Sequence, residues 1–235
     1  MSSRLVAAGI AIATALNAVP VLGQSLNGSQ AIEEIQVTST NRRSVGLADV
    51  NSSVSIISQD ELNLIKSSHY QEALNRLPGV AIHRNNGQES LMAIRSPVLT
   101  GAGACGSFLI AENGIPVRSQ GFCNVNEMFD THTENAASIE VVRGPGSAFW
   151  GSNAVHGLVH VMLPEPGDAA EITLEQGPRG SRRIKGAFGQ DYGNFKQTIL
   201  FTGQDEEGYR DDSGVDQQKL SWLYNYTIND GTAFD

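Results

Sequence analysis

The run from Ser138 to Leu163, SIEVVRGPGSAFWGSNAVHGLVHVML, constrains the fold more than any other stretch of the chain. Ile139, Val141 and Val142 make a short β-prone segment. Arg143-Gly144-Pro145-Gly146 follows, a turn that glycine and proline form at low cost. Ser147 to Trp150 suit one helical turn, stopped by Gly151, and Asn153 falls in a second tight turn. From Gly157 to Leu163 the chain is almost wholly apolar. A strand that is apolar on both faces must be covered on both faces. The stretch therefore reads as a strand–loop–strand unit buried inside something larger.

The 235 residues suffice for one or two domains. A formal net charge of -9 argues against a nucleic-acid partner, which calls for a basic face. Met1 to Gln24 combines Arg4, the apolar core LVAAGIAIATAL and small residues up to Gly23. This pattern predicts a secretory signal peptide over residues 1–23, with no cysteine beside the cut to suggest lipidation. Export places Cys105 and Cys123, the two cysteines of the chain, in an oxidising compartment. A disulfide between them is the economical expectation, because two thiols alone make a poor zinc site.

Val54, Ile56 and Ile57 read as a strand, and Ser58-Gln59-Asp60-Glu61 as a capping box that opens a short helix. Ser68 to Gln71 reads as a second capping box. Behind it Tyr70, Ala73, Leu74 and Leu77 have amphipathic helical spacing, ended by Pro78-Gly79. Val80 to His83 is a strand candidate, and Phe108–Ile110, Asn113-Gly114 and Ile115–Val117 form a hairpin pattern. Gly101 to Gly106 matches G-x-G-x-x-G, but β-prone Ser107 to Ile110 follows it where a dinucleotide site needs a helix. His156 and His160 are four apart, which on a strand spans roughly 13 Å, too far for one metal ion. Both are expected to be buried and hydrogen-bonded. No nucleophile–base motif stands out, so neither an enzyme nor a cofactor is expected.

From Pro164 onward the pattern changes to alternation. Ile172 and Leu174, then Ile184 and Phe188, then Phe195, Ile199 and Phe201, then Leu220, Trp222, Tyr224, Tyr226 and Ile228 alternate with polar or small residues, although Leu200 blurs the third set. Apolar-out, polar-in strands with aromatic clusters suit the wall of an outer-membrane barrel. Upstream, Ile32 to Thr40 carries a short alternation at Ile35 and Val37. An isolated short strand of this kind is either the first strand of the folded domain or an arm that adds to a partner's sheet.

The run Ile139-Glu140-Val141-x-Arg143-Gly144-Pro145-x-Ser147, continuing through Gly151, Asn153, Ala154 and Gly157, resembles the signature near the end of the plug domain of TonB-dependent outer-membrane receptors. It departs from that signature at His156 and His160. Leu77-Pro78-Gly79-Val80 is similar to a second plug motif, and Ile94-Arg95-Ser96 stands where the family has Ile-Arg-Gly. The resemblance implies an α+β plug domain followed by the first antiparallel strands of a transmembrane β-barrel. The expected divisions are a signal peptide at 1–23, an arm at 24–45, a plug at 46–165 and wall strands at 166–235.

About seventy residues of wall provide roughly four strands, too few to close a barrel of about 22 strands. The chain is therefore expected to be an N-terminal piece of a longer receptor with an incomplete barrel. The resemblance further implies that Glu33, Glu34, Ile35, Gln36, Val37 and Thr38 form the box that binds TonB, the energy-transducing partner in the inner membrane. Arg143 is expected to make an ion pair between plug and barrel. Arg84, Asn85, Asn86 and Gln88 are expected to face the substrate, with a ferric siderophore the first expectation among small-molecule solutes. The alternative is a periplasmic plug-like module that binds TonB or a ligand without transport.

Overall fold

The computed structural model describes residues 35–40, 42–84, 89–95, 108–117, 126–146, 148–151, 154–229 and 232–234. The expected signal segment, Glu33, Glu34, Asn85, Asn86, Gln88, Cys105 and Cys123 lie outside the described residues.

In chain order, β1 (Gln36–Val37) and β2 (Val45–Gly46) pair antiparallel. β3 (Val54–Ser58) leads into α1 (Gln59–Ile65), and α2 (Gln71–Leu74) follows. β4 (Val80–Arg84) and β5 (Ser90–Ile94) form a separate antiparallel pair. Then come β6 (Phe108–Glu112), β7 (Ile115–Pro116), β8 (Ser138–Arg143) and β9 (Gly157–Met162). Two 3-10 turns, Glu127–Asp130 and Thr133–Asn135, precede β8. The last elements are β10 (Ala169–Gln176), β11 (Arg182–Asp191), β12 (Phe195–Glu206), β13 (Val215–Asn229) and β14 (Thr232–Phe234).

Several of these boundaries follow from local chemistry. The Ser58 hydroxyl accepts from the Glu61 amide at 3.3 Å and the Glu61 carboxylate accepts from the Ser58 amide at 2.9 Å, which completes the expected capping box. The second box does not form: α2 opens after Tyr70 with no side-chain cap, and the Gln71 amide donates to His69 Nδ1 at 3.0 Å. Ser68 donates from its amide and its hydroxyl to Glu72, both at 3.2 Å, while the Gln71 side chain donates to the Ile82 carbonyl at 2.8 Å. The helix is also shorter than its apolar spacing suggests. Asn75 ends it by clasping the Ile82 peptide, accepting at 2.6 Å and donating at 3.1 Å, which ties α2 to β4. At the β6–β7 turn Asn113 and Gly114 have φ of 45° and 80°, the two positive values that a type I′ hairpin demands.

The central sheet has the order β3-β8-β9-β6-β7, with the β6–β9 pair parallel and the others antiparallel. Strand parity divides its core in two. Ile139, Val141, Val159, Val161, Phe108 and Ile110 point to a face covered by the helices and the β4–β5 pair. Val142, Leu158, Leu109 and Ala111 point to the other face, where Trp150 and Ala154 cover them. The double covering expected of Gly157–Leu163 is present. His160 is buried as expected, whereas His156 lies in the bend before β9 and is only half-buried.

β10 to β14 form an antiparallel meander whose edges are β10 and β14. Ile172, Leu174, Ile184, Phe188, Leu220, Trp222 and Ile228 stand exposed on its outer face. The inner face carries Thr198, Thr202, Gln204 and Glu206, buried toward the central domain. Leu200 belongs to this inner set. It joins the central core, which is why it broke the outward alternation.

The start of β9 is a close approach. A Cβ on Gly157 would lie 2.8 Å from the Val142 carbonyl oxygen and 2.9 Å from Ile94 Cδ1. Gly157→Ala is therefore expected to cost about 1–3 kcal/mol of stability through overpacking, read as a lower urea midpoint at unchanged slope.

Candidate functional site

The most concentrated polar chemistry among the described residues lies where the N-terminal arm meets the Trp150 face of the central sheet. Val37 is fully buried, and the arm bends immediately after it. Glu140 is a lone charge in the apolar run of β8 and is itself buried. A buried carboxylate needs donors. It takes the Thr38 amide at 3.1 and 3.0 Å on its two oxygens, the Thr38 hydroxyl at 3.3 Å and the Ser39 amide at 2.7 Å. Trp150 Nε1 donates to the Ser39 carbonyl at 2.5 Å. The Arg42 guanidinium lies 4.9 Å over the Trp150 ring and donates to the Gly114 carbonyl.

His160 stands opposite Glu140 in the β8–β9 register, so both rise from the same face of the sheet. Its Nε2 accepts from the Gly114 amide at 2.7 Å, which leaves the neutral ring's proton on Nδ1. Burial, and secondarily the Arg42 charge, lowers its pKa to about 4. The arm, the Asn113-Gly114 turn and Trp150 thus form one cluster. It borders a cavity of about 530 Å³ that Trp222 and Tyr224 of the wall also line.

A second cluster joins the central domain to the inner face of the wall. Lys219 of β13 donates to both oxygens of Glu134, at 2.9 and 3.0 Å, and to the Thr131 carbonyl at 2.7 Å. The His132 ring bridges Ser221 at 2.9 Å and Thr202 at 2.8 Å. Asn135 donates to His132 Nε2 at 2.8 Å, so the ring proton sits on Nδ1, facing Ser221. Desolvation lowers the His132 pKa to about 4. Glu112 accepts the His132 amide at 2.6 Å, and its own pKa is raised, mainly by burial.

Arg143 donates from Nη1 to the Pro78 carbonyl at 2.7 Å, and its buried Nε has no partner among the described residues. No carboxylate among the described residues lies within ion-pair distance of it. Arg95 lies alongside, donating to the Arg143 carbonyl at 3.2 Å and to the Ser53 hydroxyl at 3.0 Å. Arg84 ends β4 opposite Ser90, which bonds the Tyr70 hydroxyl and the Asn126 side chain. Among the described residues no group of three or more His, Cys, Asp or Glu side chains is placed to hold a metal ion. Sequence reasoning did not single out Glu140, Trp150, Arg42 or His132 as site residues. The signal for Glu140 was available: one acid inside the run Ile139–Val142.

Residues 46–158 match the TonB-dependent Receptor Plug Domain family. Over these residues the chain carries the plug domain that this family describes. The vitamin B12 transporter BtuB of Photobacterium profundum is 25% identical over 181 residues, covering 75% of this chain and 28% of that protein. Among solved structures, the plug and the strands after it are similar to FpvA of P. aeruginosa bound to a heterologous pyoverdine, at TM-score 0.68 and 13% identity, over 83% of this chain and 25% of that one. The alcaligin outer-membrane receptor FauA of Bordetella pertussis also superposes at TM-score 0.68 and 13% identity, over 84% and 33%. The chain thus spans between a quarter and a third of the length of these proteins. They are named as transporters and receptors, not enzymes. The plug and the open five-stranded meander together are the fold they share with this chain.

The plug histidines set a pH dependence. His132 and His160 titrate near 4 when folded, against 6.5 for the free group. The unfolded chain therefore binds more protons between these values. The stabilisation is fully present above pH 6.5 and is lost as pH falls toward 4. NMR titration of the two rings is expected to give midpoints near 4, well below that of an exposed histidine.

Proposed function

We propose that this chain is the plug and first wall strands of an outer-membrane receptor. The receptor would draw a scarce solute into the periplasm with energy passed through TonB. One observation carries the reading: the meander exposes Ile172, Leu174, Leu220, Trp222 and Ile228 outward while bonding its polar inner face to a plug. A hydrocarbon surround makes such an outer face favourable, and β10 and β14 present the edges at which further strands would pair.

Orientation follows from what lies at each end of the wall. The arm cluster borders Trp222 and Tyr224 at the end with the short Tyr192–Asn194 turn. Ser68 and Gln204, the loop after β10 and the acidic loop after Glu206 lie at the other end. We place the arm in the periplasm, with Glu33 to Thr38 as the strand offered to TonB by β-augmentation. Arg84 sits toward the opposite, outward end, which supports Arg84, Asn85, Asn86 and Gln88 as substrate-facing residues. We infer that Arg143, which bonds the Pro78 carbonyl, is the plug side of an ion pair with the barrel wall.

The proposed substrate is a metal chelate. A ferric siderophore is the first reading, and cobalamin is the second, favoured by the relative named as a vitamin B12 transporter. The test is uptake of radiolabelled ferric siderophores and cobalamin by cells whose only such receptor is the complete gene product. Saturable uptake of one of them is expected, falling to background when residues 33–38 or TonB are deleted. Soluble periplasmic protein without uptake would support the binding-module alternative instead. Arg84→Ala is expected to raise the half-saturation concentration about tenfold.

A further inference from the structure

We propose that Glu140 and Trp150 form a clasp that sets how often the arm strand is available to TonB. The inference rests on the reading of residues 33–38 as the TonB-binding strand, and adds the device that controls it.

β1 is paired along one edge. Gln36 and Val37 pair with β2, and the Ile35 carbonyl accepts from the Leu47 amide at 2.8 Å. The next two amides, Thr38 and Ser39, are taken by the Glu140 carboxylate, and the Ser39 carbonyl is taken by Trp150 Nε1. Strand addition needs free N–H and C=O groups along an edge. A partner strand therefore competes with these bonds, the strongest of which are the charge-assisted ones to Glu140.

Two features make the contact a clasp rather than a fixed strut. All described hydrogen bonds of the Glu140 side chain go to the arm, and none goes to the rest of the plug. Its face of the sheet is the one covered by the arm and by Trp150, while the larger core lies on the other face. Lifting the arm exposes the carboxylate to water, which replaces the lost donors. The released state therefore carries no orphaned buried charge. Trp150 reads the same arm residue from the loop after β8, so the clasp has two jaws, one on each side of the Ser39 peptide. Arg42, stacked on Trp150 and bonded to Gly114, closes the bend behind them.

The test is hydrogen exchange on the complete receptor in outer-membrane vesicles, with titration of the TonB C-terminal domain without substrate. Glu140→Gln keeps the side chain's shape, removes its charge and turns one acceptor into a donor. Exchange at Thr38 and Ser39 is expected to rise about tenfold or more, with β8 and β9 amides unchanged. Substrate-free affinity for TonB is expected to rise by a similar factor, because apparent affinity scales with the fraction of receptors whose strand is free. Trp150→Phe, which removes the donor to Ser39 and part of the ring under Arg42 while leaving Glu140 in place, should move both readouts the same way. It decides the matter if the Glu140 variant does not fold. Unchanged exchange at Thr38 and Ser39, or equal loosening of β8 and β9, overturns the clasp. If exchange changes as expected but no form binds TonB, the clasp stands as a contact and the TonB reading of the arm fails.

Discussion

Everything in the plug depends on one strand that is buried on both faces. β9 is apolar on both sides over Leu158, Val159 and Val161. Its exclusion from water has to be completed twice, by different parts of the chain. One cover is local and large: α1, α2 and the β4–β5 pair, tied together where Asn75 and Gln71 bond the Ile82 peptide. The other is small, and is built from Trp150 and Ala154. The arm reaches this face through hydrogen bonds, from Thr38 and Ser39 to Glu140 and from Trp150 to Ser39.

The same period of two governs the wall. Outward positions of β10 to β13 are largely apolar, and inward positions are largely polar where they meet the plug. The plug answers with polar groups of its own. His132, Glu134 and Asn135 meet Thr202, Lys219 and Ser221, and each buried donor in that seam finds an acceptor. A polar seam fixes register more strictly than an apolar one, because a slip by one residue strands several hydrogen bonds at once.

Much of this was legible in the chain. The Ser58–Glu61 capping box, the Asn113-Gly114 turn and the alternation of the wall strands are local signals, and the structure realises each one. Leu200 looked like noise because its inward role depends on a core made of distant residues. The box expected at Ser68–Gln71 did not form: the Gln71 side chain bonds Ile82, eleven residues away, and α2 opens after Tyr70. Near neighbours in the sequence did not reveal either competition.

The sequence alone determined the doubly apolar strand, the turn chemistry and the reversal of pattern after Pro164, because each is set by side-chain period and backbone freedom within a few residues. Only the tertiary structure decided which groups share a site. Glu140 and Thr38 are 102 positions apart, and His132 and Ser221 are 89 apart. What brings them together is the order of strands in two sheets and the parity of each residue along its strand. Those follow from burying the whole core at once and from no single segment of it.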